Sequence, residues 1–179
     1  MIERTGAGPL RRLFVLRHAK SAWPEGVADH DRPLSARGRR DAPAAGRALA
    51  DAGRLPGQAL CSTAVRARLT WEGASAQWGT PPPVRFDRRL YMAGVPELLA
   101  VLHEVPDEIR TVLLIGHNPG LEDLVLTLAG DGLDDTLDRV RVKFPTSAIA
   151  VLAWRGGWPD LTAGSALLTS FTVPRGAKP

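Results

Sequence analysis

Three short apolar runs, each followed by enough chain for a helix, constrain this sequence more than any other feature. They are LFVL at 13–16, QALCS at 58–62 and TVLLIGH at 111–117. Continuous runs of this length read as strands buried on both faces, and parallel strands of that kind need crossovers, usually helical, between them. The alanine-rich stretch 35–52 stops at Gly53 and reads as one such helix. Pro43 inside it implies either a kink or a regular part that starts near Asp41 as N-cap. Residues 63–78 put Val65, Leu69, Glu72 and Ala76 on one helical face, and 84–86 supply a further strand after GTPPP. In PELLAVLHEV, Leu98, Leu102 and Val105 recur at helical spacing, with Pro96 in the first turn, where its missing N–H costs nothing. GLEDLVLTLAG turns Leu121, Leu124, Val125 and Leu128 inward. The acidic DGLDDTLD reads as a loop, and SAIAVLAW and SALLTSFTV read as closing strands. The alternation predicts a three-layer α/β/α sandwich with a mostly parallel central sheet.

At 179 residues the chain suits one domain, expected over 13–179. The opening MIERTGAGPLRR, residues 1–12, lacks the apolar centre of a secretory signal and reads as a flexible tail. No apolar run approaches the ~18 residues that span a bilayer. A single cysteine, Cys61, leaves no internal disulfide and no cysteine-based zinc site. The expectation is a monomer of the cytoplasm with no membrane partner. Net charge is +4 and the pI is near 10.0, but the arginines fall in scattered pairs with no basic helix or interleaved aromatics. Nucleic acid is therefore not the expected partner, and a phosphorylated protein or a small phosphorylated substrate accounts for the same charge.

In open α/β sheets, ligands bind off the carboxyl ends of the strands. The first strand here ends in Arg17 and His18. The second ends in Ser62, with Arg66 one helical turn later. TVLLIGH ends in His117, and GHNPG opens a helix whose N-terminal N–H groups favour an anion. Each feature alone has an ordinary structural explanation: a hydrogen-bonded histidine, a solvated arginine, a turn. Two arginines, two histidines and a helix N-terminus aimed at one point form a trap for a phosphoryl group, whose oxygens match the guanidinium fork.

RHAKS, at 17–21, resembles the RHG signature of the histidine phosphatase superfamily, which has the phosphoglycerate mutase-like fold. STAVRARLT is similar to that family's second motif and LLIGHNPG to its second-histidine segment, in the family's order. DRPLSARGRRDA, LYMA and FPTSAIAVL resemble its small SixA-like branch. The resemblance implies that His18 is the nucleophile and becomes phosphorylated, with Arg17, Arg66 and His117 on the equatorial oxygens. Ser62, Asn118 and Lys20 join them as phosphate-binding candidates. The chemistry agrees: fixed donors stabilise charge that spreads onto those oxygens, and flanking cations keep His18 neutral enough to attack.

The sequence departs from the larger branches at the position of the general acid. Mutase-like members carry a glutamate where Met92 stands, and acid phosphatases an aspartate where Asn118 stands. Asp29, Asp31 and Glu122 are the nearest carboxylates by motif and read as solvated charges or helix caps. An alkoxide needs a proton to leave, whereas imidazole, whose conjugate acid has a pKa of roughly 6.5, leaves without one. Such a site suits phosphohistidine on a protein, the substrate the SixA-like resemblance also implies. A phosphomonoesterase acting on a small metabolite and a non-catalytic phosphate-binding module are the alternatives. Ala19, in place of the family's glycine, requires a negative φ. His18, His30, His103 and His117 lack the spacing of a metal helix, so neither metal nor cofactor is expected. Trp23, Trp71, Trp78, Trp154 and Trp158 read as core or pocket wall. Trp23, just past the catalytic turn, is the tryptophan placed to touch substrate.

Overall fold

Strand β1 (Leu10–Arg17) and strand β4 (Thr111–Gly116) lie parallel at the centre of the sheet, with Leu13 opposite Val112 and Arg17 opposite Gly116. Their apolar runs are continuous because each strand feeds two cores. Leu13, Val15, Val112 and Leu114 face one, while Phe14, Leu16, Leu113 and Ile115 face the other. A slip of one residue would exchange the two sets, so burial on both sides fixes the register. The computed structural model describes residues 8–53 and 55–178.

The remaining elements follow in chain order: α1 (Ala36–Asp51), β2 (Gln58–Ser62), α2 (Val65–Ser75), β3 (Val84–Asp87), α3 (Val95–His103), then β4 and α4 (Gly120–Leu128). The chain closes with β5 (Ala129–Gly132), α5 (Thr136–Val142), β6 (Ile149–Arg155) and β7 (Ala166–Thr172). The sheet order is β3-β2-β4-β1-β6-β7-β5. Among the named strands of the described residues, the β1–β6 and β6–β7 pairings are antiparallel and the others parallel. Residues of α1 and α2 pack in the core on one face, and those of α3, α4 and α5 in the core on the other. The predicted three-layer sandwich is the fold observed. Among the described residues no helix is long and apolar enough to cross a membrane.

Four expectations need correction. The tail does not extend to residue 12, because β1 begins at Leu10. Arg11, 2% exposed, donates to the carbonyls of Gly156, Asp107 and Ile109 and to the Asp107 carboxylate. Residues 1–7 lie outside the described residues. Helix α1 runs through Pro43 and is capped by Ser35, whose Oγ accepts from the Gly38 N–H. Asp41 is not an N-cap: it is buried and accepts from the Gly176 N–H, with Arg37 and Arg175 beside it.

Helix α2 buries Arg66, Ala67, Thr70, Trp71 and Ala74, not the expected face of Val65, Leu69, Glu72 and Ala76. Small residues set this orientation, since a Cβ on Gly46 of α1 would collide with the Ala74 carbonyl. The acidic stretch after α4 is not a plain loop. It forms the end of edge strand β5, parallel to β7, and the start of α5, which Thr136 and Val140 anchor.

Candidate active site

The carboxyl ends of β1, β2 and β4 open on a cavity of about 280 Å³ bordered by Arg17, His18, Asp29, Arg66 and His117. His18 sits one residue beyond β1, its backbone N–H held by the Gly116 carbonyl at 3.1 Å. Its Nδ1 lies 2.7 Å from the Ala19 carbonyl. A carbonyl only accepts, so Nδ1 carries the proton and the lone pair is on Nε2. That Nε2 lies 3.4 Å from the Arg66 Nε donor. The Ala19 N–H donates to Thr70 Oγ1 and Thr70 Oγ1 to the Arg66 carbonyl, which ties the histidine loop to α2. Ala19 is absent from the positive-φ residues, as expected. Ser147 adopts φ 64, and its N–H reaches the carbonyls of both Arg17 and His18.

His117 is oriented from behind. Its Nε2 is 2.7 Å from Ser62 Oγ, which itself accepts from the Ala64 N–H. Among the described residues the Ser62 hydroxyl has no other acceptor, so its proton points to Nε2, which leaves the His117 proton on Nδ1. That Nδ1 is buried without a partner, and so is Nε of Arg17. Buried donors are nearly always paired. Two unpaired ones at the same cavity point to an acceptor that arrives from outside.

Arg66, 2% exposed, is held by Asp29. Its Nη1 donates to the Asp29 carbonyl at 2.6 Å and its Nη2 to Oδ2 at 3.1 Å. Oδ2 also accepts from the Tyr91 hydroxyl at 2.6 Å, and Oδ1 accepts from Arg32 Nε. The Tyr91 hydrogen bond, with Arg66 and Arg32, holds the Asp29 pKa down at about 2, so this carboxylate is ionised at neutral pH.

The cavity therefore collects Arg17, His18, Arg66, His117 and the exposed Lys20 side chain. Two candidates change role. Ser62 is fully buried and meets His117 instead of the cavity. Asn118 borders the cavity, but its side-chain amide donates to the Glu122 carboxylate and the Phe144 carbonyl, which leaves no side-chain N–H for phosphate. The α4 N-terminus is likewise less available than expected: the Leu121 N–H bonds the His117 carbonyl, and Glu122 and Asp123 occupy the first turn. Asp31 pairs with His30. Asp29 is a site residue and not a solvated charge or cap. Arg32 also borders the cavity and the Tyr91 hydroxyl supports Asp29; the runs DRPLS and LYMA are the sequence signals that carry these two.

Burial, then the neighbouring ring and guanidinium charges, lowers the pKa of His18 to about 3. Burial and then Arg66 do the same for His117. Both are neutral at pH 7. In the unfolded chain each protonates near 6.5, so as pH falls the unfolded state takes up protons that the folded state refuses. Stability should decline from about pH 6.5 toward pH 3, by roughly 1 kcal/mol per pH unit for each histidine. Urea unfolding at several pH values checks this: a His18→Gln/His117→Gln variant should give a flatter profile, and parallel profiles would locate the protons elsewhere.

Comparison with known proteins places this geometry. Residues 13–91 match the sequence pattern of the histidine phosphatase superfamily (branch 1). An uncharacterized protein of Mycobacterium tuberculosis is 44% identical over 164 residues, 89% of this chain and all of the relative. A solved structure from Nakamurella multipartitia, described as a candidate phosphohistidine phosphatase SixA, superposes with a TM-score of 0.82 at 34% identity, covering 93% of this chain and 97% of the other. One from Agrobacterium tumefaciens with the same description gives 0.76 at 30% identity, covering 92% and 99%. By sequence and by fold the chain belongs to the SixA-like branch of the histidine phosphatase superfamily, and it is an enzyme that hydrolyses phosphoryl groups.

Proposed function

We propose that this enzyme removes phosphate from phosphohistidine on a protein, by way of a phosphohistidine formed on its own His18. The observation that carries the reading is the pair of unpartnered buried donors, Arg17 Nε and His117 Nδ1, beside a neutral imidazole with its lone pair on Nε2. In the first step Nε2 of His18 attacks phosphorus and the P–N bond of the substrate breaks. Its electron pair stays on the departing nitrogen, and with a proton already on the ring's other nitrogen the group leaves as neutral imidazole and needs none from the enzyme. In the second step water attacks the phosphorus on His18, and the imidazole recovers its lone pair as phosphate leaves. Arg17, Arg66 and His117 offer donors to the three equatorial oxygens, where charge develops in both steps. Ser62 acts through His117 by setting its tautomer. Asp29 acts through Arg66 by fixing its fork.

The substrate class follows from the state of the carboxylates. Asp29 is ionised and spent on three donors, and Glu122 accepts from Asn118. Neither arrangement supplies a proton to an alkoxide, whereas imidazole leaves without one. The two solved neighbours described as candidate phosphohistidine phosphatases support the same substrate. The reading carries with it a monomer of the cytoplasm, working on a protein partner without metal or cofactor. Hydrolysis of a phosphohistidine peptide at neutral pH, set beside a sugar phosphate, tests it. The peptide should be consumed far faster. Comparable rates would favour the metabolite phosphatase, and no turnover of either would favour the binding module.

A further inference from the structure

The rim of the catalytic cavity is unlike its floor. Arg17, Arg66 and Asp29 make the floor charged, yet two large apolar side chains stand on the rim, Trp23 at 76% exposed and Met92 at 56%. Exposed apolar residues scattered singly are ordinary, but two that border one polar cavity are not. Trp23 is also braced. The guanidinium carbon of Arg32 lies 3.5 Å from the centroid of the indole ring, a cation–π stack.

Arg32 is 7% exposed and immobile, because it donates to Asp29 Oδ1 at 3.0 Å, Ser21 Oγ at 2.9 Å and the Ala22 carbonyl at 3.3 Å. One indole face is thereby fixed against the network that holds Arg66, while most of the ring stays open to solvent. Met92 is held by a left-handed backbone, φ 53, that a non-glycine residue adopts only when its surroundings impose it.

We infer that Trp23, with Met92 on the same rim, forms a subsite for a flat aromatic ring attached to the phosphoryl group. With Arg32 against one face, the other offers dispersion and π contact to a planar ring. Imidazole is such a ring, so the inference rests on the phosphohistidine reading and deepens it: Trp23 selects the leaving group that the floor of the cavity is chemically able to release. A sugar presents no flat face of this kind.

Calorimetric titration with three phosphonates tests the subsite without requiring turnover. Phenylphosphonate carries a flat ring, cyclohexylphosphonate an apolar ring that is not flat, and methylphosphonate no ring. The wild-type enzyme should bind the phenyl compound about fivefold more tightly than the other two, the size of effect an aromatic pair supplies. In Trp23→Ala and Trp23→Leu the three affinities should fall within about twofold of one another, and Trp23→Tyr should keep most of the preference. Leucine guards against the case in which alanine merely uncovers Arg32. A wild-type enzyme indifferent to the ring, a cyclohexyl compound bound as tightly as phenyl, or a preference that survives Trp23→Leu would each overturn the subsite. Because phosphohistidine takes no part, failure of the phosphohistidine reading shows only in the peptide assay.

Discussion

Replacing His18 by alanine should abolish turnover of every phosphorylated substrate, with a loss on the order of ten-thousand-fold or more, while the protein remains folded. The size of the loss follows from the absence of a substitute. His117 has its Nε2 against Ser62 and its proton on Nδ1, so no lone pair faces the cavity. The Cys61 thiol is fully buried, and burial pushes its pKa far up, so no thiolate forms. His30 Nε2 is engaged by Thr63 Oγ1. The fold should survive because the imidazole makes its hydrogen bonds at the end of β1, outside the two main cores. Circular dichroism and a rate measurement settle the matter together. Residual activity within tenfold of wild type in a folded His18→Ala protein would end the phosphoenzyme mechanism.

What could be read from the sequence alone divides along physical lines. β4 and α4 were legible because their apolar residues recur without interruption, and Leu121, Leu124, Val125 and Leu128 all face inward as their spacing requires. The start of β1 was hidden because Arg11 and Arg12 look like surface residues, whereas Arg11 is buried with an acceptor for each guanidinium nitrogen. The inner face of α2 was misjudged for a related reason: the helix turns Arg66 inward, which spoils the apolar stripe that periodicity detects. Arg17, His18 and His117 border one cavity as expected because topology alone brings strand ends together. Ser62 was found with the wrong role, since adjacency along the chain says nothing of the direction of a hydroxyl. Asp29 and Tyr91 lie 62 positions apart and meet through two loops, a juxtaposition that no spacing rule encodes.

Rates on phosphate esters should fall steeply as the leaving group becomes more basic, by on the order of a thousandfold between aryl and alkyl esters, because the alkoxide departs without a positioned acid. A series of aryl and alkyl phosphates read as kcat/KM gives the slope directly. Asp29 is the residue that could make the expectation wrong, since it borders the cavity and holds a carboxylate there. Its two possible roles separate cleanly. As the anchor of Arg66 it serves every substrate alike, so Asp29→Asn should cost roughly tenfold across the series and leave the slope unchanged. As a proton donor it would matter most where the leaving group is worst, so the same variant would lose far more on alkyl than on aryl esters. The pKa of about 2, imposed first by the Tyr91 hydroxyl and then by the two arginines, favours the anchor. Tyr91→Phe adds an independent check, because it removes that hydroxyl and nothing else from the carboxylate. If Asp29 is only an anchor, Tyr91→Phe should not flatten the slope; a rise confined to alkyl esters would mean that the freed carboxylate had begun to donate.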